Sequence, residues 1–517
     1  MSASLSSTPS GFLGSLLAAL QGAAVVGYAV CQAALVMYAS HRWGLLWMRR
    51  PLRPETPPAP EAWPRVTVQL PLYNERLVVE RAIDAAAALD YPRERLQIQV
   101  LDDSTDDTSS HAAAAVRRHR ARGLDIVHLR RERREGYKAG ALAAGLARAS
   151  GSLVAVFDAD FVPPPEFLRR LVPHFADAGV GMVQARWTHL NRDRSALTSA
   201  EAVLLDAHFL LEHTARMRRG LFLNFNGTAG IWRRDCIEDA GGWSSDTLTE
   251  DLDLSYRAQL AGWRFVFDDR VAVPAELPGE MEAFKSQQRR WTKGSIQTAR
   301  KLLPEVWRRP LPAGVKREAF FHLTSNVAYP LLLVLSLLLL PVMLARSLVP
   351  AWAVWTLHAG VLLFGIVPVA LFLAAGQRAA GASWRALPRH VAGALVLGVG
   401  LSVNNARAVL EGLGSGLGDW ERTPKTGDGV RERPLRAYPA AHRAAGRGEL
   451  VLALYFASLL AWAAAAGQWR AVPFLLLLVS GFTWVGAASR QDSRRSPGTP
   501  LSPLHRPGAG TFAPPRG

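Results

Sequence analysis

Apolar positions along the chain fall into two regimes. Predominantly apolar runs at Gly11 to Ala39, Ala319 to Ala345, Ala351 to Gly376, Leu450 to Gly467 and Val472 to Ala488 are long enough to cross a bilayer as helices. Between the first and second, short β-type runs at Val66 to Leu70, Ile98 to Leu101 and Leu153 to Phe157 alternate with helical stretches. That order predicts an α/β layer with largely parallel strands. The pattern divides the chain into an N-terminal anchor (1–50), a Pro-rich linker (51–64), a catalytic α/β domain (65–310), a membrane domain (311–490) and a disordered tail (491–517).

The segment His390 to Leu413 fits neither regime. Its apolar run is short and is interrupted by Asn404, Asn405 and Arg407. If it crossed, the loop Glu421 to Arg447, rich in arginine, would lie on the outer side, against the preference of basic loops for the cytoplasm. An amphipathic helix on the inner interface is expected instead, which leaves about five spans.

Composition sharpens this picture. Of the 517 residues 49% are hydrophobic, yet the net charge is +17, so apolar and basic blocks are segregated. Arg42, Arg49, Arg50 and Arg53 follow the first apolar run and mark its cytoplasmic end, which puts the α/β domain in the cytosol. The first run lacks a preceding basic segment and exceeds a signal-peptide core, so it reads as a retained anchor. Two cysteines, Cys31 and Cys236, exclude a disulfide framework or a cysteine-rich metal site. A basic balance suits anionic ligands, but no nucleic-acid-binding motif accompanies it, so nucleic acid is not an expected partner.

Chemistry concentrates in the α/β region. Asp102 and Asp103 end a β-run, the place where open α/β sheets receive ligands, and can accept from a nucleobase edge and ribose hydroxyls; an Asx turn capping the next helix is the other reading. Asp158 and Asp160 in Phe157-Asp158-Ala159-Asp160 can hold a hard divalent cation, Mg²⁺ or Mn²⁺, that bridges a diphosphate; standing alone, Asp-x-Asp is also a common chance spacing. Gly136 to Gly140 reads either as a flexible turn bringing Lys138 near a phosphate or ribose or, since it lacks the P-loop pattern, as an ordinary exposed turn. Asp251, in Thr249-Glu250-Asp251, either caps the helix it opens or acts as a general base. Gln287 to Lys293 supplies a guanidinium for a departing diphosphate and an indole on which a sugar ring can stack, or is an ordinary basic juxtamembrane segment. Phe225 to Gly230 is small and polar, allowing close approach of a ligand to backbone. His174, His189, His208 and His213 show no zinc spacing, and His208 and His213, five apart, are not expected to share a helical face.

In this order, followed by membrane spans, these strings resemble the processive family 2 glycosyltransferases. LDDSTDDT, GYKAGAL, FDADF, FNGTAGIWR, LTEDLDLSYRAQLAGW and QQRRW are most similar to the cellulose synthase-like A group, glucomannan 4-β-mannosyltransferases, over roughly Val66 to Lys425. The resemblance implies a GT-A (Rossmann-like) catalytic fold. It implies Asp102, Asp103, Lys138, Gln287 and Arg290 at a nucleotide-sugar donor, GDP-mannose or UDP-glucose, and Asp158 and Asp160 at the metal. Asp251 would be the base, with Trp291, Glu250, Asn226 and Gly227 at a growing polysaccharide acceptor. A β-1,4-linked polymer passed into the lipid bilayer of the inner (plasma) membrane is the expected product. A non-processive glycolipid transferase is the alternative within enzymes, and a transporter or scaffold the alternative outside them. The string after Trp291, Thr292-Lys293-Gly294, departs from the plant members, and no PilZ-like domain is evident.

Overall fold

The computed structural model describes residues 9–48, 57–345, 359–414 and 446–495, with isolated positions 352, 356, 416 and 427 between them. The expected arginines Arg49, Arg50 and Arg53, most of the basic loop 421–447, and the tail beyond 495 lie outside the described residues.

The catalytic region runs β1 (Val66–Leu72), α2 (Val79–Ala87), β2 (Leu96–Asp102), α3 (Thr108–Arg120), β3 (Asp125–Arg130), α4 (Tyr137–Leu146), β4 (Leu153–Val156), α5 (Phe167–Leu171) and β5 (Val180–His189). There follow α6 (Ala196–Ala207), a π-helical turn (His208–His213), α7 (Thr214–Arg218), β6 (Gly230–Arg233), α8 (Arg234–Asp239), α9 (Glu250–Leu260), β7 (Arg264–Ala275) and α10 (Met281–Arg308). Before it stands α1 (Pro9–Met48); after it come α11 (Ala313–Thr324), α12 (Ala328–Leu344), α13 (Val367–Ala379), α14 (Leu387–Gly400), α15 (Ser402–Leu413), α16 (Arg447–Ala465) and α17 (Val472–Arg495).

Seven strands form one sheet in the order β3-β2-β1-β4-β6-β5-β7. It is a mixed GT-A sheet rather than a fully parallel one, because β6 runs antiparallel to both β4 and β5. Register pairs Val66 with Leu96 and Leu72 with Asp102, so β1 and β2 end together. Strands β2 and β4 are almost wholly buried, as expected of strands covered on both faces. One core cluster packs α2, α3 and α5 on one side, and a second packs α4, α8 and α9 on the other. The carboxyl ends of the parallel strands are thereby left as the open rim.

Five helices among the described residues are long and apolar enough to cross a membrane: Ser15–Met48, Ala313–Leu344, Ala359–Ala379, Arg447–Ala465 and Val472–Arg494. α14 and α15 meet at a 51° bend and would make a sixth if taken together. The single interfacial helix expected over His390 to Leu413 is therefore a broken pair starting at Leu387, with α14 against α17 and α15 against α10. Two other boundaries move. α1 continues to Met48, so Arg42 lies within the helix rather than after it, and α17 continues to Arg495, so the residues 491–495 assigned to the tail are helical.

Candidate active site

The rim carries a cleft of about 1250 Å³ of open space, solvent included, bounded by strand ends on one side and by α9 and α10 on the other. Into it converge Asp103, Lys138, Asp158, Asp160, Asn226, Gly227, Glu250, Asp251, Gln287, Arg290 and Trp291.

Lys138 is the hub. The segment expected as a flexible turn is the start of α4, entered through Gly136 in the left-handed region (φ +68°). The first helical turn projects Lys138 into the cleft, its Nζ 2.7 Å from Asp158 Oδ1, 3.9 Å from Glu250 Oε1 and donating to the Gly227 carbonyl at 2.8 Å. Burial pulls its proton affinity down, but Asp158 and Glu250 outweigh that and raise it, so it is a fixed cation. Gly227 (φ +81°) is required at this turn: a Cβ there would meet Asp251 Oδ2 at 2.9 Å and Lys138 Nζ at 3.3 Å. The non-glycine residues Asn74, Tyr137 and Ala229 also hold positive φ. Asn74 and Tyr137 each adjoin a residue of the cleft, where backbone strain is characteristically stored.

Asp251 sits on the first turn of α9. Burial and the neighbouring Glu250 push its carboxyl up to about 7, against the lowering influence of Lys138 and the Leu252 amide that donates to Oδ1 at 2.8 Å. Thr249, at the position before the helix, gives no side-chain cap; it packs instead against Gly294 of α10, where a Cβ would meet Thr249 Cγ2 at 2.5 Å. That close approach brings α10 near enough for Gln287, Arg290 and Trp291 to face the carboxylates. Burial lowers the proton affinity of Arg290, with Glu250 and Asp158 opposing.

Asp102 departs from expectation. It does not line the cleft but lies beneath it, 1% exposed. It accepts from the Ser104 amide at 2.8 Å and Ser109 Oγ at 2.5 Å, with His128 Nε2 at 2.9 Å. Burial would raise its carboxyl, but these bonds prevail and hold it at about 2. The Asx-turn reading applies to Asp102, and Asp103 alone faces the cleft, clamped by Arg131 through Nε at 2.9 Å and Nη2 at 2.5 Å.

Tyr73, Arg134, Trp187 and His189 also line the cleft and were not singled out from the sequence as site residues. The Arg134 guanidinium lies 3.3 Å from the Tyr73 ring centroid. The one available signal was the polar triplet Tyr73-Asn74-Glu75 directly after β1, at a strand's carboxyl end.

His208 and His213 do share a face, contrary to expectation. The π-turn brings positions five apart into register, and their Nε2 atoms lie 3.0 Å apart. His208 Nδ1 meets Glu212 Oε2 at 3.0 Å and Nε2 meets Asn226 Nδ2 at 3.0 Å. Because a carboxylate only accepts, Nδ1 donates and Nε2 accepts from Asn226.

Asp103, Asp158, Asp160, Glu250 and Asp251 share the cleft with three cations, Arg134, Lys138 and Arg290. An all-oxygen set short of positive charge fits a hard divalent cation. No group of three or more His, Cys, Asp or Glu side chains among the described residues is arranged to hold a metal alone; an ion held by Asp158 and Asp160 would complete its shell with water and a bound molecule, as Mg²⁺ usually does.

Comparison with known proteins bears on this site. Residues 64–294 match the family described as "Glycosyltransferase like family 2". "Probable glucomannan 4-beta-mannosyltransferase 10" of Arabidopsis thaliana is 38% identical over 304 residues, 57% of this chain and 55% of that protein. "Glucomannan 4-beta-mannosyltransferase 2" of Arabidopsis thaliana is 44% identical over 251 residues, 48% of this chain and 47% of that one. "Glucomannan 4-beta-mannosyltransferase 1" of Oryza sativa subsp. japonica is 42% identical over 252 residues, 48% of each chain. The chain thus spans about half the length of the curated relatives it matches. Among solved structures, a mannosyltransferase from Pyrobaculum calidifontis, in complex with GDP-Man and Mn²⁺, aligns with TM-score 0.48 and 22% identity over 76% of this chain and 99% of that one.

Proposed function

We propose, from a glycosyltransferase family 2 domain over residues 64–294, that this chain is a membrane-bound inverting hexosyltransferase extending a β-1,4-linked polysaccharide. The observation that carries the reading is Asp251, a buried carboxyl pushed up to about 7 in a cleft shared with Lys138, the Asp158/Asp160 pair and Trp291. A base needs a proton affinity near the working pH, and this carboxyl has one. The donor is GDP-mannose or UDP-glucose, and the mannosyltransferase names of the relatives favour the mannosyl compound.

Asp103 and the Tyr73–Arg134 pair flank the nucleoside. Lys138 and Arg290 bring positive charge to the diphosphate, and Gln287 supports it beside Arg290. Asp158 and Asp160 would hold Mg²⁺ or Mn²⁺, which supplies neutralisation of the charge that builds on the departing diphosphate. Trp291 offers a stacking face to the acceptor's terminal sugar, with Glu250, Asn226 and Gly227 alongside. Asp251 takes the proton of the acceptor hydroxyl as its oxygen bonds to the anomeric carbon and the carbon–diphosphate oxygen bond breaks. One displacement inverts the configuration. A paired acid and base across a glycosidic bond is not needed.

In this reading the catalytic domain (65–310) sits beside the membrane domain (311–490) in an inner (plasma) membrane with the cleft on the cytoplasmic side, which the arginines after the first apolar run support. A hydroxyl-rich chain cannot enter bare hydrocarbon, so the spans next to the cleft would shelter it.

The test is to offer the purified chain GDP-mannose and UDP-glucose with Mg²⁺ or Mn²⁺ and determine the linkage formed. Alkali-insoluble β-1,4-linked product supports the reading. Radiolabel that partitions wholly into lipid extracts turns it toward a glycolipid transferase, and no transfer from any sugar nucleotide ends it.

A further inference from the structure

The helix that presents Gln287, Arg290 and Trp291 is held by the membrane domain at its N-terminal end, one to two turns before these residues. The first amides of any helix lack intrahelical partners. In α10 the residue at the N-cap position, Glu280, gives no side-chain cap. Asp492 of α17 supplies it: its Oδ2 accepts from the Met281 amide at 2.7 Å and from the Glu282 amide at 3.4 Å. A carboxylate there also complements the positive end of the helix dipole.

One turn on, Lys285 Nζ lies 2.8 Å from Glu449 Oε1 of α16, 3.3 Å from Glu282 Oε1 and 3.4 Å from Ser489 Oγ of α17. The Lys285, Glu282 and Glu449 side chains are 12%, 7% and 6% exposed, too buried for either charge to stand alone at low cost. Asn404 of α15 donates to the Lys285 carbonyl at 3.0 Å, and Glu411 of α15 takes Arg289 through both oxygens at 2.9 Å. Three helices of the membrane domain thus converge on residues 281–289, the stretch that leads into the cleft-facing turn. A helix is stiff along its axis, so holding one end fixes the rotation and height of the residues two turns away.

We infer that Asp492 and Glu449 are positioning residues for sugar transfer: the last two spans set the register of α10 and so place Arg290 and Trp291 against the carboxylates. The inference rests on the transferase reading. It also gives a role to Asp492, which the sequence pattern assigns to a tail.

The experiment uses the full chain in detergent, GDP-mannose and UDP-glucose as donors, and β-1,4-mannohexaose and β-1,4-glucohexaose as acceptors. Turnover per mole of folded protein is measured alongside melting temperature. Asp492→Leu, which removes the acceptor from the α10 amides, is expected to lower kcat ~10-fold, since displacements of about 1 Å at a reacting centre cost up to ~100-fold. Its melting temperature falls by less than ~5 °C. Asp492→Asn retains a side-chain oxygen to accept from the amides and is expected within ~3-fold of wild type. A wild-type rate for Asp492→Leu, or an Asp492→Asn variant no faster than Asp492→Leu, overturns the inference. Should Asp492→Leu not fold, the triple change Lys285→Met, Glu282→Gln and Glu449→Met removes the three buried charges together; the same ~10-fold loss supports the inference and an unchanged rate overturns it. Absence of transfer by the wild-type chain overturns the transferase reading and this inference with it, whereas an active wild type with unaffected variants overturns the inference alone.

Discussion

Asp251 is held between opposing influences: burial and Glu250 favour its protonated form, while Lys138 and the Leu252 amide favour the carboxylate. Its folded-state value, about 7, lies above the ordinary carboxylate value near 3.9. The unfolded chain therefore releases this proton at lower pH than the folded one, so the group's contribution to stability falls from about pH 4 to about pH 7 and stays at its low plateau above that. Asp251→Asn removes the titration. The variant should lose transfer ~10³-fold while its melting temperature, relative to wild type, rises between pH 5 and 8, readable by a thermal shift series in detergent. The same titration predicts that kcat of the wild type climbs as pH rises toward 7 and then levels, because the base must be ionised. At Gly227, alanine would have to adopt φ +81° and place its Cβ 2.9 Å from Asp251 Oδ2. Gly227→Ala is expected to destabilise by ~1–3 kcal/mol and to depress kcat more than donor KM, as steady-state kinetics would report.

At the scale of elements, the π-turn His208–His213 does what an α-helix cannot, setting two side chains five apart on one face. His208 then reaches Asn226, the neighbour of Gly227, whose carbonyl holds Lys138. His208→Ala is expected to lower kcat/KM for the donor ~10-fold, the worth of one hydrogen bond near 1.4 kcal/mol. His208→Gln, which can offer an oxygen near the Nε2 position, should recover most of it in the same assay. α4 shows the converse. Read from GYKAGAL alone the segment is loop-like, yet alanines and Leu142 packed against β1 and β2 make it a helix, and that rigidity is what lets Lys138 hold three partners.

Across the whole molecule, α1 and the α/β domain are joined by buried charge. Arg42 of α1 pairs with Glu212, Arg216 meets Glu212 at 3.4 Å and Glu318 of α11 at 3.0 Å, and His41 meets Glu318 at 2.7 Å. The Arg216 and Glu318 side chains are 3% and 5% exposed. Removing one partner from such a pair leaves an uncompensated buried charge and costs ~3–5 kcal/mol. Glu318→Leu should therefore lower the melting temperature markedly, and added salt should change the loss little because buried pairs are poorly screened. The double change Arg216→Met with Glu318→Leu should recover part of it, measured by the same melts.

Some of this was decided by local sequence. Apolar runs long enough for a bilayer, β-runs buried on both faces, and carboxylates at their carboxyl ends state their requirements within a few residues, because burial, strand period and charge are local properties. The mixed polarity of the sheet was not among them: β6 is four residues long and owes its direction to the neighbours that pair with it. Nor could spacing separate Asp102 from Asp103, since adjacent side chains on a strand point to opposite faces, and only the packed protein says which face is the cleft and which holds His128 and Ser109. The same holds for Asp492, whose task is defined by an amide more than two hundred positions away. What the chain determines alone is which groups must be buried or charged; which of them meet is settled by tertiary packing, where the free energy of pairing each buried polar atom selects its partner.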